Sequence, residues 1–283
     1  MSLALALLLP FAGQVGPGGA LPQAPIEIHH RKPQPSQEPS LPMPQAQTRM
    51  GNCLALAQSD PLAALDVADE WAKGLTGAAH AEPKHCQGVA LSRLGRWAEA
   101  ELAFREARDD TPVSDRAARA ARGAMAGNAA LAAGSADRAL ASLDIAHTDA
   151  LSAGLTQLTG EISIDRARAL VGLGRLDEAG IALAEARANA PDNPQAWLLS
   201  ATLARRQGKL EEAQAEIEVA ARLLPVDPEI GLEAGVIAVL SGRDEAARLS
   251  WESVIAAAPG SDAAKTAKSY LDQLGPPPPP SGK

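Results

Sequence analysis

Four side chains in one stretch of this sequence combine metal-binding and redox chemistry: Cys53, His80, His85 and Cys86. Thiolate and imidazole are the ligands of tetrahedral zinc, but the spacing of His80, His85 and Cys86 matches no established zinc motif. Adjacent residues on a helix also point about 100° apart, so His85 and Cys86 are poorly placed to share one ion. The adjacent pair His29-His30 stands in proline-rich sequence that offers no preformed geometry. No metal and no cofactor is expected. The cysteines then have two readings: a disulfide formed after export, or two small buried apolar groups in a reducing compartment. No nucleophile–base pattern, HExxH helix or glycine-rich phosphate loop accompanies them. Glu211, Glu212, Glu216 and Glu218 read as solvated charge on an outer helix face. The expectation is a protein that is not an enzyme.

The elements that position these residues come from a repeat. Between Asn193 and Gly260 one pattern is written twice: an amphipathic segment, a small-residue turn, a second amphipathic segment and a proline stop. The turn glycine recurs at Gly95, Gly134, Gly174, Gly208 and Gly242. Ala100, Ala139, Ala179, Ala213 and Ala247 follow it, and then the larger Phe104, Leu143, Leu183, Ile217 and Trp251. A hairpin of this kind cannot bury its apolar stripe without a neighbour, so the chain is expected to stack into an all-α solenoid. The glycine spacing is 39 and 40 residues in the first intervals and 34 in the last two, which predicts longer helix ends or loops early in the array.

This pattern resembles the tetratricopeptide repeat (TPR) family, most closely where Trp197, Gly208, Ala213 and Pro225 fall on signature positions. The resemblance implies a right-handed superhelical solenoid of antiparallel helix hairpins, with the first helix of each unit lining a concave groove that binds a protein or peptide. Carried over residue by residue, the groove positions include His85, Asn128, Arg168, Leu198, Thr202, Arg205, Leu232 and Val236. Family members that clamp a peptide's terminal carboxylate use lysines and asparagines. Asn128 matches one asparagine, while His85 and Ala124 stand in the lysine column. Leu232 and Val236 have an alternative place, packed as core against the final helix.

The expected organisation follows. Residues 1–20, with the run Leu3 to Leu9 and small residues near Ala20, read as a signal peptide; residues 21–48 are a proline-rich linker. A divergent hairpin covers 49–80, its second helix carrying Leu62, Leu65, Ala68 and Trp71. Five repeats occupy 81–260, a capping helix 261–275 and a polyproline tail 276–283. Corresponding helices of neighbouring units lie side by side, which brings Cys53 and Cys86 within reach of a disulfide. Such a bond closes a loop of about 33 residues and stabilises by roughly 3–4 kcal/mol on the chain-entropy account.

Composition narrows the partners. Apolar residues make up 46% of the chain but aromatics only 2%, which suits close helix packing better than a sheet core. A formal charge of -8 without a basic stripe argues against nucleic acid. No segment after the leader is long enough to span a membrane. The leading function is a non-enzymatic protein-binding scaffold of the bacterial cell envelope or periplasm. The alternatives are a cytoplasmic TPR adaptor and a structural homo-oligomer that buries the groove against itself.

Overall fold

A computed structural model describes residues 48–276. The leader, the body of the linker with His29-His30, and the tail beyond Pro276 lie outside the described residues. Within them the chain forms α1 (Arg49–Ser59), α2 (Pro61–Ala72), a 3-10 turn (Gly77–His80), α3 (Ala81–Arg93), α4 (Trp97–Asp110), α5 (Arg116–Ala132), α6 (Ala136–Ser152) and α7 (Thr156–Gly172). It continues through α8 (Leu176–Asn189), α9 (Pro194–Arg206), α10 (Leu210–Leu223), α11 (Pro228–Leu240), α12 (Asp244–Ala257) and α13 (Asp262–Leu274). No strand occurs among the described residues, and none of their helices is long and apolar enough to cross a membrane.

Local chemistry sets the boundaries. Asp60, Asn193 and Asp227 cap α2, α9 and α11, each accepting from a backbone N–H of the first turn at 2.9–3.0 Å, and each is followed by proline. At the other end of α9, Gly208 takes φ 76°. Its neighbour Lys209 donates its N–H back to the Ala204 carbonyl at 2.9 Å, closing the helix in a way that a residue with a side chain resists. The long early spacing resides mainly in helices. α5, α6 and α7 have 17 residues each, against 13 and 14 in α9 and α10.

Antiparallel hairpins stack in order: α1 with α2, then α3–α4, α5–α6, α7–α8, α9–α10 and α11–α12, with α13 laid on the last. Each second helix packs on its own first helix and on the first helix of the next hairpin. The core runs down this seam. The five alanines after the turn glycines are fully buried, and Phe104, Leu143, Leu183, Ile217 and Trp251 fill the space between units. Small residues opposite make room: a methyl on Gly88 would lie 2.5 Å from the Phe104 ring, and one on Gly235 would lie 2.1 Å from the Trp251 indole nitrogen. These glycines are a packing requirement of the large residue facing them.

On the outer side, one position repeats as a basic residue type. Arg108, His147 and Arg187 each stand 13 residues after a turn glycine and reach an acid on the next second helix. Arg108 meets Asp149 at 2.9 Å, His147 meets Glu185 at 2.8 Å, and Arg187 meets Glu216. Glu216 therefore departs from its expected place in solvent; it is 6% exposed beneath α8. Burial, reinforced by Glu212 and opposed by Arg187 and Lys209, pushes its carboxyl up to about 7.

The N-terminal hairpin is held covalently. Cys53 on α1 and Cys86 on α3 form a disulfide with Cα atoms 6.2 Å apart, and both side chains are buried beside Ala68 and Trp71. Leu62 corrects the expected stripe of α2: it is 61% exposed, while Ala64, Ala68 and Trp71 make the buried face. The segment before α3 is a 3-10 turn tied to the end of α4 by His80 Nδ1 and Asp110 Oδ2 at 2.8 Å.

Candidate protein-binding groove

First helices touch one another along the array: α1 with α3, α5 with α7, α7 with α9, and α9 with α11. The second helices make their main contacts with first helices instead, so the array bends with the first helices inside. Three hollows open along the first helices at equivalent positions. The first, about 500 Å³, lies between α3 and α5, with walls from Val89, Ser92, Met125 and Asn128 over Phe104. The second, about 220 Å³, lies between α7 and α9, with Arg168, Val171, Leu199 and Thr202 over Leu183. The third, about 300 Å³, lies between α11 and α13, with Val236, Val239, Tyr270 and Leu274 over Trp251. Phe104, Leu183 and Trp251 occupy the same place in their units, so the large residue that seals each hairpin also floors the hollow.

The rims are charged. Arg93 borders the first hollow and Arg206 the second, and both are exposed. Neither makes an ion pair among the described residues, whereas Arg205 is engaged by Glu233 through two contacts of 2.6 and 3.2 Å. That pair lies between α9 and α11, where its charges satisfy each other. Glu82, Glu161 and Glu229 stand near the starts of α3, α7 and α11, and the arginines near the ends of α3, α7 and α9. The inner face thus carries acids along one edge and guanidinium groups along the other.

A family model for the tetratricopeptide repeat matches residues 164–228 and 198–263. These residues are tetratricopeptide repeats. Solved structures extend the likeness of fold over most of the chain. PilW, described as a widely conserved type IV pilus biogenesis factor, shares 17% identity over 77% of this chain and 98% of its own, with a TM-score of 0.62. Pseudomonas aeruginosa pilF shares 12% over 78% and 97%, with a TM-score of 0.60. BtubC from P. vanneervenii shares 16% over 83% and 97%, with a TM-score of 0.56. No curated protein matches the sequence.

Within this helical array the expected groove residues divide. Asn128 is exposed on the wall of the first hollow, and Arg168 and Thr202 share the second. Arg168 is partly held already, by Asp165 at 2.5 Å and Gln195 at 3.1 Å. Arg205 is half-buried in its pair with Glu233. Leu198 departs from expectation: it is 5% exposed and packs with Ala201, Ile217 and Ile230 in the core below the groove. Leu232 and Val236 take their alternative place against the Trp251 cluster that α13 covers, although Val236 also reaches the third hollow. His85 is half-buried with its ring edge-on to Phe104, 5.9 Å between centroids. Burial, with Arg122 nearby, pushes its imidazole down to about 4 and leaves it neutral at pH 7.

Arg93, Trp97, Met125, Leu199 and Arg206 were not among the expected groove residues, yet they line the hollows. A signal was present for two of them: Arg93 and Arg206 both stand two residues before a turn glycine. Among the described residues no group of three or more histidine, cysteine or acidic side chains is arranged to hold a metal ion.

Proposed function

We propose that this chain is a non-enzymatic protein-binding scaffold that holds a protein segment along its inner face. The observation that carries the reading is the contrast between the two faces. Outer cations such as Arg108 and Arg187 are spent on ion pairs between second helices, while Arg93 and Arg206 border open apolar hollows without an acidic partner. Apolar sockets beside uncommitted charge provide both anchoring area and register for a bound chain. The proposed setting is the bacterial envelope or periplasm. Its support is the disulfide between Cys53 and Cys86, a bond that persists in oxidising compartments and is rare in the cytosol.

A photo-crosslinking residue placed at Asn128 or Thr202, in the protein expressed in its own cells, tests the groove. Adducts with another protein are expected at these positions and not at Ile181 or Glu211 on second helices. Equal adducts on both faces would remove the groove reading. Adducts only with further copies of the chain would instead favour a homo-oligomer. For the compartment, thiol labelling of protein taken from fractionated cells and unfolded in denaturant is expected to modify Cys53 and Cys86 only after reduction; labelling without reductant would remove this support.

A further inference from the structure

Resting on the groove reading, we infer that the α3–α5 and α7–α9 hollows are paired sockets for one extended peptide, which places bulky apolar side chains six residues apart, each beside an aspartate or glutamate. Both sockets have the same construction. A large apolar residue from the second helix forms the floor, Phe104 in one and Leu183 in the other. Met125 in one and Leu199 in the other, at matching positions on the following first helix, supply an apolar wall. At about 220 Å³ the second socket accepts a side chain and not a whole helix, whose diameter with side chains is about 10–12 Å. A peptide chain that lies over the groove and drops side chains into it meets this limit.

Charge selects the residue next to each anchor. The chain as a whole is acidic, at -8, yet the socket rims offer Arg93, Arg168 and Arg206. Arg93 and Arg206 have no acidic partner among the described residues, so a ligand carboxylate there restores a charge-assisted hydrogen bond without displacing an existing pair. Glu82 stands eleven residues before Arg93 and Glu161 seven before Arg168, about 16 and 10 Å along their helices at 1.5 Å per residue, and Asp165 is already paired with Arg168. The peptide's acidic side is therefore directed to the arginine edge.

Spacing comes from the stack. Neighbouring packed helices lie about 8–10 Å apart, and the two sockets are offset by two first-helix steps, or roughly 16–20 Å. An extended chain covers that distance in about five or six residues at 3.3 Å each. Its side chains alternate between faces, so only the even spacing, i and i+6, puts both anchors downward. The space between the sockets is crossed by α5 and α7, where Arg168 and Asp165 are already paired.

A random peptide library displayed on phage and selected against the full chain tests this directly. Enriched sequences are expected to carry leucine, phenylalanine or similar residues at i and i+6 with an acid adjacent to each. Synthetic copies should bind about tenfold more weakly to Arg93→Glu and to Arg206→Glu, both surface changes, with the wild-type advantage shrinking as salt rises. Arg222→Glu, on second helix α10, should leave binding within about twofold, the effect of an uninvolved surface charge. Enrichment of a single anchor or of another spacing, with Arg206→Glu still weakening binding, overturns the paired sockets and leaves the groove reading standing. Peptides that ignore both arginine variants, or failure to enrich any peptide, overturn the paired sockets, and indifference to both arginines also removes the groove as the binding face.

Discussion

At the N-terminal end of the array a disulfide ties Cys53 to Cys86 beside Ala68 and Trp71, whereas at the C-terminal end α13 lies over Trp251 with no covalent link. Both ends face the same problem, because a terminal hairpin has a neighbour on one side only. The N-terminal hairpin has little apolar area with which to answer it. α1 and α2 bury Cys53, Ala57, Ala64, Ala68 and Trp71, and leave Leu62 and Val67 in solvent. Each end buries one indole, Trp71 or Trp251, but the C-terminal one also packs against Tyr270, 5.1 Å between centroids, and is surrounded by Leu232, Val236, Leu271 and Leu274. One end substitutes loss of chain freedom in the unfolded state for area; the other gains burial in the folded state.

The largest expected effect is at the apolar end. Trp251→Ala removes a side chain that is 3% exposed and breaks the indole N–H bond to the Leu232 carbonyl, 3.2 Å long. A loss of about 3–5 kcal/mol in urea unfolding is expected. Hydrogen exchange should show it concentrated in α11–α13, and uniform loss along the chain would break the comparison. Gly235→Ala approaches the same contact from the other side, with about 1–3 kcal/mol lost to overpacking.

Next comes the covalent end. Cys53→Ala with Cys86→Ala keeps two small apolar side chains and removes only the link. About 3–4 kcal/mol is expected from loop closure. Protection in α1 and α2 should collapse while α11–α13 keeps its own, because contacts in such an array pass only between neighbours. Equal loss at both ends would mean that the array unfolds as one cooperative unit and that the distinction between its ends has no thermodynamic content.

Much of this architecture was legible because each signature position states a packing constraint. Gly208 requires a positive φ, Ala213 must fit where no larger side chain does, and Trp251 needs a glycine opposite. The ends could be read for the same reason: Asp60-Pro61 and Ser261 are local caps whose chemistry acts within one turn. The groove was less legible. Leu198 has the periodicity of an inner-face residue but is buried, because the tilt between units decides which side of that helix opens. Glu216 reads as solvated charge along α10, and only the arrival of Arg187 from α8 covers it. The hollows depend on three helices at once, so no single periodic pattern encodes them.

A smaller effect sharpens the comparison through pH. His85, near the N-terminal end, has its pKa lowered from 6.5 to about 4 by burial and by Arg122. The unfolded chain then binds more protons between those values, so this group's contribution is complete above pH 6.5 and is lost as pH falls toward 4. Glu216, in the C-terminal half, is raised from 4.5 to about 7, chiefly by burial. Here the folded chain binds more protons, and stability is lost as pH rises from 4.5 toward 7. Arg187 and Lys209 restrain that shift and Glu212 adds to it. The two groups thus contribute opposite slopes between pH 4.5 and 6.5. Relative to His85→Asn, the wild-type chain should gain stability as pH rises through this window; relative to Glu216→Gln it should lose it. Each difference is expected to be about 1–2 kcal/mol, below the full conversion of the shifts because neither site is free of water. Urea unfolding of the three proteins at four or five pH values measures the slopes, and hydrogen exchange locates them in α3–α5 and α8–α10. Parallel curves for wild type and Glu216→Gln would show that Arg187 keeps the carboxylate charged throughout, making that buried pair a fixed ion pair.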